Sequence, residues 1–182
     1  LGGTFTVAGT TTALRVARWS GTAWASLGSG SANGTNGSVD ALVTVGNDVY
    51  AFGPFNSAGG GIANAAARWN AGGWETLGSG AGNGFARNVS AVAWFNGALH
   101  VGGSFTAAGP VPASYIARWN GSGWSALGSG LDGPVDDMVV QGNALVIGGS
   151  FNSADGVPAS RVVRWNGSAF SALGAGVDGS VF

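Results

Sequence analysis

One segment of this chain recurs four times, and its regular spacing constrains the fold more than any other feature. Each copy contains an arginine followed by a tryptophan, a second aromatic residue five positions later, and then Leu-Gly. The pairs are Arg18-Trp19, Arg68-Trp69, Arg118-Trp119 and Arg164-Trp165, so that successive copies lie 50, 50 and 46 residues apart. Such a period indicates a chain built from one repeated supersecondary unit.

The second copy shows which local structure the repeat predicts. Residues 39–45 are rich in β-branched side chains and favour a strand, and the Gly46-Asn47 turn leads into a second strand at 48–52. Residues 55–59 are interpreted as a loop. The remaining predicted strands are 65–69 and 74–77 in the second copy, 89–94, 99–101, 115–119 and 124–127 in the third, and 135–140, 145–147, 161–165 and 170–173 in the fourth.

Four short antiparallel strands cannot bury both faces of one sheet, so neighbouring sheets must stack on each other. We therefore predict an all-β fold, a β-propeller built from four-stranded antiparallel blades of about 46–50 residues, with a β-solenoid as the alternative. The predicted organisation is a partial blade at 1–30, blades at 39–80, 89–130 and 135–176, and the start of a further blade at 177–182.

The two ends of the chain fall at different points of the repeat. Leu1 aligns with the middle of a second strand, and Phe182 aligns with the start of a first strand. Joining the ends would still leave the equivalents of residues 137–146 missing, and a propeller does not omit a strand. We expect a piece of a longer array, with further blades favoured over self-assembly with a second copy as the source of the missing contacts.

The composition excludes several classes of partner. Only 8% of the residues are charged, the net charge is −1 and all seven basic residues are arginines, so a nucleic-acid partner is not expected. No apolar run is long enough to span a membrane, and the absence of cysteine rules out disulfides and thiolate chemistry. Low charge and abundant glycine and small polar residues favour an extracellular or cell-surface protein.

The repeated arginines are candidates either for binding an acidic ligand or for a shared structural role. Their equal spacing favours the structural role, in which each guanidinium donates hydrogen bonds to carbonyls or to a carboxylate between blades. Asp40 and Asp136 are suitable carboxylates. Because Ser90 takes their place in the third copy, main-chain carbonyls are the favoured acceptors.

Aromatic residues at repeat positions are interpreted as filling the gaps between blades. Seven of the eight tryptophans occupy such positions. Trp94 is the exception, because it lies at the end of a predicted strand beside the Asn96-Gly97 turn. An exposed indole can stack on a sugar ring, so Trp94 is a candidate for ligand binding.

Asp132, Asp136 and Asp137 form the densest group of carboxylates and are candidates for a calcium site. Their spacing does not match an EF-hand loop, and Asp-Gly-Pro is ordinary turn chemistry, so the structural interpretation is favoured. His100, the single histidine, is interpreted as a strand residue, since one imidazole without cysteine cannot build a zinc or copper site. We predict no catalytic residues, no cofactor and a metal-independent fold.

Five Asn-x-Ser/Thr sequons begin at Asn33, Asn36, Asn88, Asn120 and Asn166. The last two belong to Asn-Gly turns, which explain them without a glycan. The first three are acceptor candidates in a host that glycosylates.

The segments Leu99–Gly109 and Ile116–Gly130 resemble the kelch-like repeats common in large secreted bacterial proteins, and they are similar to the repeats of the fungal Rax2-type cortical polarity markers. The diglycines Gly2-Gly3, Gly102-Gly103 and Gly148-Gly149 and the paired aromatics carry the resemblance, while the second copy departs from it with Phe52-Gly53-Pro54. The Trp-Asp pair typical of WD40 repeats is absent. The resemblance covers nearly the whole chain and implies a propeller, a fold that hosts many functions.

Repeated structure without an unrepeated catalytic constellation favours a non-enzymatic extracellular or cell-surface scaffold for protein interaction or adhesion. The loops 31–38 and 81–88 vary most and are expected to carry recognition. A carbohydrate-binding lectin and the propeller part of a larger secreted enzyme are the alternatives.

Overall fold

The computed structural model describes residues 1–78, 84–85, 88–179 and 181, and it divides the chain into two compact units, Leu1–Phe85 and Ala86–Phe182. The first unit contains β1 (Val7–Ala8), β2 (Thr11–Thr12), β3 (Ala17–Trp19), β4 (Trp24–Ser26), a 3₁₀ turn (Gly30–Ala32), β5 (Ala41–Val45), β6 (Asp48–Phe52), β7 (Ser57–Ala58), β8 (Gly61–Ile62), β9 (Ala66–Asn70) and β10 (Gly73–Thr76). No helix in the described part of the chain is long and apolar enough to cross a membrane.

The second unit repeats the pattern twice. Its strands are β11 (Val89–Phe95), β12 (Ala98–Gly103), β13 (Ala107–Ala108), β14 (Val111–Pro112), β15 (Ile116–Trp119), β16 (Trp124–Ala126), β17 (Val135–Gln141), β18 (Ala144–Gly149), β19 (Ser153–Ala154), β20 (Val157–Pro158), β21 (Val162–Trp165) and β22 (Phe170–Ala172). Most bounds lie within one or two residues of the strands predicted from the sequence.

Three copies of the repeat form four-stranded antiparallel sheets whose strand order follows the chain. They are β5-β6-β9-β10 in the first unit, and β11-β12-β15-β16 and β17-β18-β21-β22 in the second. The earliest copy forms the two-stranded sheet β3–β4, with a single bridge between Gly2 and Val16 beside it. The predicted all-β class and its four-stranded antiparallel sheets are confirmed.

A small hairpin between the second and third strands of each copy was missed by the sequence analysis. The pairs are β1–β2, β7–β8, β13–β14 and β19–β20. Residues 55–59, interpreted as a loop, include β7 and the first turn residue of such a hairpin. Strands of two residues are too short to produce an alternating pattern, so periodicity could not reveal them.

The sheets within each unit approach so closely that glycine is required between them. In the first unit, a Cβ atom on Gly2 would lie 2.6 Å from Cγ1 of Val39. In the second unit, a Cβ atom on Gly102 would lie 2.5 Å from Cγ1 of Val135. The first glycine of the diglycine therefore makes room for a valine of the next sheet, which explains the motif by packing.

Apolar side chains fill the space between the sheets of each unit. The core of the first unit includes Val16, Leu27, Val39, Ala51 and Phe55, and that of the second includes Ile116, Val135, Leu145, Ile147, Phe151 and Val163. In the first unit the indole Nε1–H of Trp74 also donates a hydrogen bond to the carbonyl of Leu27, at 2.8 Å. A side-chain hydrogen bond thus connects the β3–β4 copy to the next copy.

The paired aromatics of the repeat face each other across the third and fourth strands. Their ring centroids are 5.0 Å apart for Trp19–Trp24, 5.6 Å for Trp69–Trp74, 5.1 Å for Trp119–Trp124 and 4.7 Å for Trp165–Phe170. Trp119 and Trp165 are buried, as the core interpretation requires. Trp19 is 52% exposed, and its sheet has two strands in the described part of the chain.

Candidate functional site

The four repeated arginines do not make the same contacts. Arg68 lies within its own sheet beside Asp48, with Nη2 at 2.6 Å and Nε at 3.1 Å from Oδ2. Its Nη1 is 3.5 Å from Glu75 on the neighbouring strand. The hydrogen bond to Asp48 holds the pKa of Arg68 above its usual value, and this cation lies 5.9 Å from the ring centre of Tyr50.

The other arginines have different surroundings. Arg164 is exposed and donates from Nη2 to the side-chain oxygen of Asn143, at 2.9 Å. Arg118 pairs in register with His100, and its buried Nε has no hydrogen-bond partner among the described residues. Arg18 is exposed on β3. The side-chain acceptors described for this set, Asp48, Glu75 and Asn143, therefore belong to the same sheet as their arginine, and they are neither Asp40 nor Asp136.

The three candidate calcium ligands serve separate local hydrogen bonds. Asp132 accepts from the main-chain N–H groups of Asn152 and Ser153, at 2.8 and 2.9 Å. Asp136 accepts from the Ser150 hydroxyl at 3.3 Å. Asp137 accepts from the N–H of the following residue, Met138, at 2.8 Å. Across residues 1–78, 84–85, 88–179 and 181, no three His, Cys, Asp or Glu side chains are grouped so that they could hold a metal ion.

A second copy of the repeat contains the equivalent of the Asp132 contact, which the sequence analysis did not find. Asn36 accepts hydrogen bonds at Oδ1 from the N–H groups of Asn56 and Ser57, at 3.1 and 3.0 Å. Its own main-chain N–H donates to the carbonyl of Ser57, at 3.1 Å. We call this arrangement, in which the linker after one copy binds the small hairpin of the next, the linker–hairpin junction.

The junction in the second unit contains a further carboxylate. Asp155, at the tip of the β19–β20 hairpin, accepts from the main-chain N–H and the hydroxyl of Ser129, at 2.7 and 2.8 Å. The hydrogen bond from the Ser129 main chain is the main cause of a lowered pKa of Asp155. Both acidic side chains of this junction therefore bind main-chain N–H groups of an adjoining copy.

His100 lies on β12 and is buried. Its Nδ1 is 3.3 Å from the carbonyl oxygen of Ala98, and its ring meets the edge of Phe95 with centroids 5.7 Å apart. The pKa of His100 is lowered to about 4, mainly by burial and in smaller part by the nearby Arg118 cation. The imidazole is therefore neutral at neutral pH and out of contact with solvent, which suits a structural strand residue.

The sequons differ in the availability of their amide nitrogens. Asn33 is buried, and its Nδ2 donates to the carbonyl of Thr12 at 2.9 Å. The Nδ2 of Asn36 lies 2.6 Å from the side-chain oxygen of Asn56. Asn120 accepts at Oδ1 from the N–H groups of Ser122 and Gly123, and Asn166 makes the same type of turn. Asn88 is exposed.

Of the two loops expected to carry recognition, the structure describes all of the first and part of the second. Residues 31–38 are held by hydrogen bonds: the N–H of Thr35 donates to the carbonyl of Leu14 at 3.2 Å, and the Thr35 hydroxyl donates to Gly37 at 2.8 Å. Most of the loop 81–88 lies outside the described residues. The first loop thus serves mainly to join copies of the repeat.

Exposed apolar side chains identify a candidate binding surface in the second unit. Trp94 on β11 is 37% exposed, and Val139 and Val140 on β17 are 57% and 43% exposed. These are the first strands of two sheets that pack against each other. Val139 and Val140 are consecutive in β17 and so point to opposite faces of their sheet. We call these three exposed residues the first-strand patch; of them, only Trp94 was singled out from the sequence.

The first unit contains a cleft of about 470 Å³ beside β3, bounded by β5 and β6. Its apolar lining includes Val16, Leu27, Leu42 and Val49, and Trp19 lies at its side. Arg18, Thr44 and Asp48 contribute polar groups. The sequence gives no direct signal for this cleft, because each lining residue occupies an ordinary repeat position.

No known protein family, no curated protein and no solved structure matches this chain.

Proposed function

We propose that this chain is a non-enzymatic scaffold of propeller-type repeats, displayed outside the cell, that binds a protein partner. The proposal rests on the contacts and the burial of the polar side chains that were singled out from the sequence. Asp132 and Asn36 join successive copies, Arg68 pairs within its sheet, and His100 is buried and neutral. These residues serve the architecture and leave recognition to exposed surfaces.

Three features support a propeller over a β-solenoid. Each four-stranded sheet is an antiparallel meander formed by one copy of the repeat, whereas a solenoid coil contributes its strands to different sheets. Successive sheets within a unit are pressed together at the Gly102–Val135 contact. The resemblance to kelch-like repeats supports the same architecture.

The first-strand patch is the surface that we propose for the partner. Exposed tryptophan and valine side chains are typical of the apolar centre of a protein interface, where aromatic residues are enriched and charged residues depleted. A partner with an apolar, uncharged surface would fit it. Low charge and the absence of cysteine and lysine accord with an extracellular or cell-surface setting.

The proposal is tested by binding of the fluorescently labelled chain to cell surfaces. We expect saturable binding that is lost after protease treatment of the cells and weakens about tenfold or more for Trp94→Ser with Val140→Ser, since central apolar residues dominate interface energies. Ile62→Ser is the matched control, because Ile62 is also exposed but lies on the small hairpin β8 of the first unit. Binding that survives the patch variant contradicts the proposal.

A lectin is the second candidate, and the 37% exposure of the Trp94 indole favours it, since such a ring can stack on a sugar. A glycan array separates the two. Binding to one glycan class that is lost with Trp94→Ala supports the lectin, while hydrolase or oxidase activity of the purified chain contradicts the non-enzymatic assignment.

A further inference from the structure

Two buried nitrogen atoms of the second unit, Nε of Arg118 and Nε1 of Trp165, have no hydrogen-bond acceptor in the part of the chain that the structure describes. Arg118 lies on β15 and Trp165 on β21, the third strands of two successive sheets. The Trp165 residue is 6% exposed. Because a buried N–H group without an acceptor is costly, such groups are nearly always hydrogen-bonded in folded proteins. These two donors therefore need an acceptor that the described residues do not supply.

Both side chains face the space between these two sheets. Arg118 is paired with His100, which in turn is paired with Ala93, and residues directly opposite each other in an antiparallel sheet lie on one face. Ala93 belongs to the apolar core that this sheet shares with the next sheet, and Trp165 belongs to the same core from the other side. Arg118 and Trp165 therefore enter one layer from opposite sheets. We call it the inter-sheet layer.

One aromatic ring in this layer lies close to the surroundings of both donors. The ring of Phe95 meets the ring of His100, the strand partner of Arg118, with centroids 5.7 Å apart. On the other side, a Cβ atom on Gly167, two residues after Trp165, would lie 3.8 Å from Cε1 of Phe95. Phe95 thus contacts the neighbourhood of each donor, which places the two donors in the same part of the inter-sheet layer.

The charge of Arg118 favours an anion over a water molecule as the missing acceptor. The equivalent Arg68 pairs with Asp48 and Glu75 of its own sheet, but in the third copy alanine and serine stand at these two acidic positions. Among the described residues no carboxylate forms an ion pair with Arg118, which is half-buried, and the neighbouring His100 is neutral. A charge withdrawn from water is costly unless a counter-charge accompanies it.

We propose that the inter-sheet layer binds one small monovalent anion, with the size and charge of chloride, as a structural ligand. The Nε–H of Arg118 and the indole Nε1–H of Trp165 donate to it, and the guanidinium supplies the counter-charge. A monatomic anion is satisfied by few donors, whereas the oxygens of sulfate or phosphate would outnumber the two available. The site is independent of the function proposed above.

The first test compares thermal unfolding of the whole chain in sodium chloride and in sodium gluconate at equal ionic strength. A ligand that binds only the folded chain raises the melting temperature in a saturable manner, and we expect this of chloride alone. Trp165→Phe keeps an aromatic ring and removes one donor, so it should weaken the apparent chloride affinity about tenfold or more. Arg118→Met should abolish the chloride effect. Arg164→Met is the matched control, because this exposed arginine occupies the same repeat position, and it should leave the effect unchanged.

The second test locates the anion in the unmodified chain. In crystals soaked in sodium bromide, the anomalous signal of bromide should give a peak between Nε of Arg118 and Nε1 of Trp165. A water molecule there without an anomalous signal overturns the proposal. Peaks confined to exposed arginines such as Arg18 also overturn it, since they would show an adventitious ion only. Equal melting temperatures in chloride and gluconate contradict it as well, as does a chloride effect that Trp165→Phe leaves unchanged.

Discussion

Asn36 and Asp132 occupy the same position in two copies of the repeat and make the same contacts. Each presents an Oδ1 atom to two consecutive main-chain N–H groups of the next small hairpin, Asn36 at 3.1 and 3.0 Å and Asp132 at 2.8 and 2.9 Å. An amide and a carboxylate are therefore interchangeable here, because both supply an oxygen acceptor. The linker–hairpin junction depends on that oxygen and not on a charge.

The first prediction separates the oxygen from the charge at the junction. Asp132→Ala should lower the free energy of unfolding by about 1–2 kcal/mol, because two N–H groups lose their acceptor. Asp132→Asn should cost clearly less, since Asn36 shows that an amide oxygen suffices. Urea denaturation measures both. Asp136→Ala is the control, with only a 3.3 Å hydroxyl contact to lose, and a cost equal to that of Asp132→Ala would contradict the argument.

The second prediction concerns Gly130, which lies in the linker of the third copy. Its φ is +83°, and a Cβ atom there would collide with the main-chain oxygen of Ser114. Gly130→Ala should therefore cost about 3 kcal/mol or more, or prevent folding, because conformational strain and backbone displacement add together.

Gly142 provides the matched control for this prediction. Its φ is +59°, but a Cβ atom there would have nothing within 4 Å. Gly142→Ala should cost only the strain of the left-handed conformation, about 1 kcal/mol. Thermal and urea unfolding compare the two variants. Equal costs would show that the steric contact with Ser114 is unimportant.

The third prediction distinguishes two of the repeated arginines. Arg68→Met keeps most of the aliphatic stem and removes the ion pair with Asp48. The side chains of Arg68 and Asp48 are 35% and 26% exposed. It should cost about 1 kcal/mol at low salt and less at 1 M salt, since a half-exposed pair is partly screened. Arg164→Met, which loses one bond to Asn143, should change stability by no more than about 0.5 kcal/mol. A larger loss for Arg164 would support a common role for the repeated arginine.

The sequence predicted the strands well because their pattern is long and regular. The 50-residue spacing of the tryptophans located the third and fourth strands, and Gly46-Asn47 located a hairpin turn between β5 and β6. The diglycine was noticed as a motif, but its cause, the approach of Val135 to Gly102, is a contact between sheets. Contacts of that kind have no period along the chain.

The junction and the arginine partners could not be predicted for a related reason. Asn36 lies in the linker 31–38 and Asp132 in the shorter linker 131–134, so that they match only when the copies are aligned from the valines that follow, Val39 and Val135. Likewise, Asp48 is the first residue of β6 whereas Asn143 is the turn residue before β18, although each binds the repeated arginine of its sheet. Because such a partner lies at a different position in each copy, a comparison of equivalent positions does not identify it.

The exposure of Trp19 shows that residues at equivalent positions of the repeat can differ in burial. Its local sequence is that of the buried Trp119, and nothing in the segment itself distinguishes them. Burial depends on the strands that neighbour it in space, and the β3–β4 sheet has two strands where others have four. A repeat predicts the environment of its members only where all their neighbours are present.

The last prediction uses the buried imidazole of His100. The pKa of His100 is about 4 in the folded chain, against 6.5 for an unperturbed histidine. Between these pH values the unfolded chain therefore binds more protons than the folded chain. The free energy of unfolding should therefore fall as the pH drops below about 6.5, and the loss should be complete below about pH 4. The full difference corresponds to about 3 kcal/mol.

His100→Val, which places the residue of the fourth copy at this position, should be less stable near pH 7 but should lack this part of the pH dependence. Urea denaturation between pH 7.5 and 3.5 compares the two, and acidic groups such as Asp155 cancel in the difference because both variants contain them. Parallel profiles for the two proteins would show that His100 is protonated without cost and is not held neutral by burial.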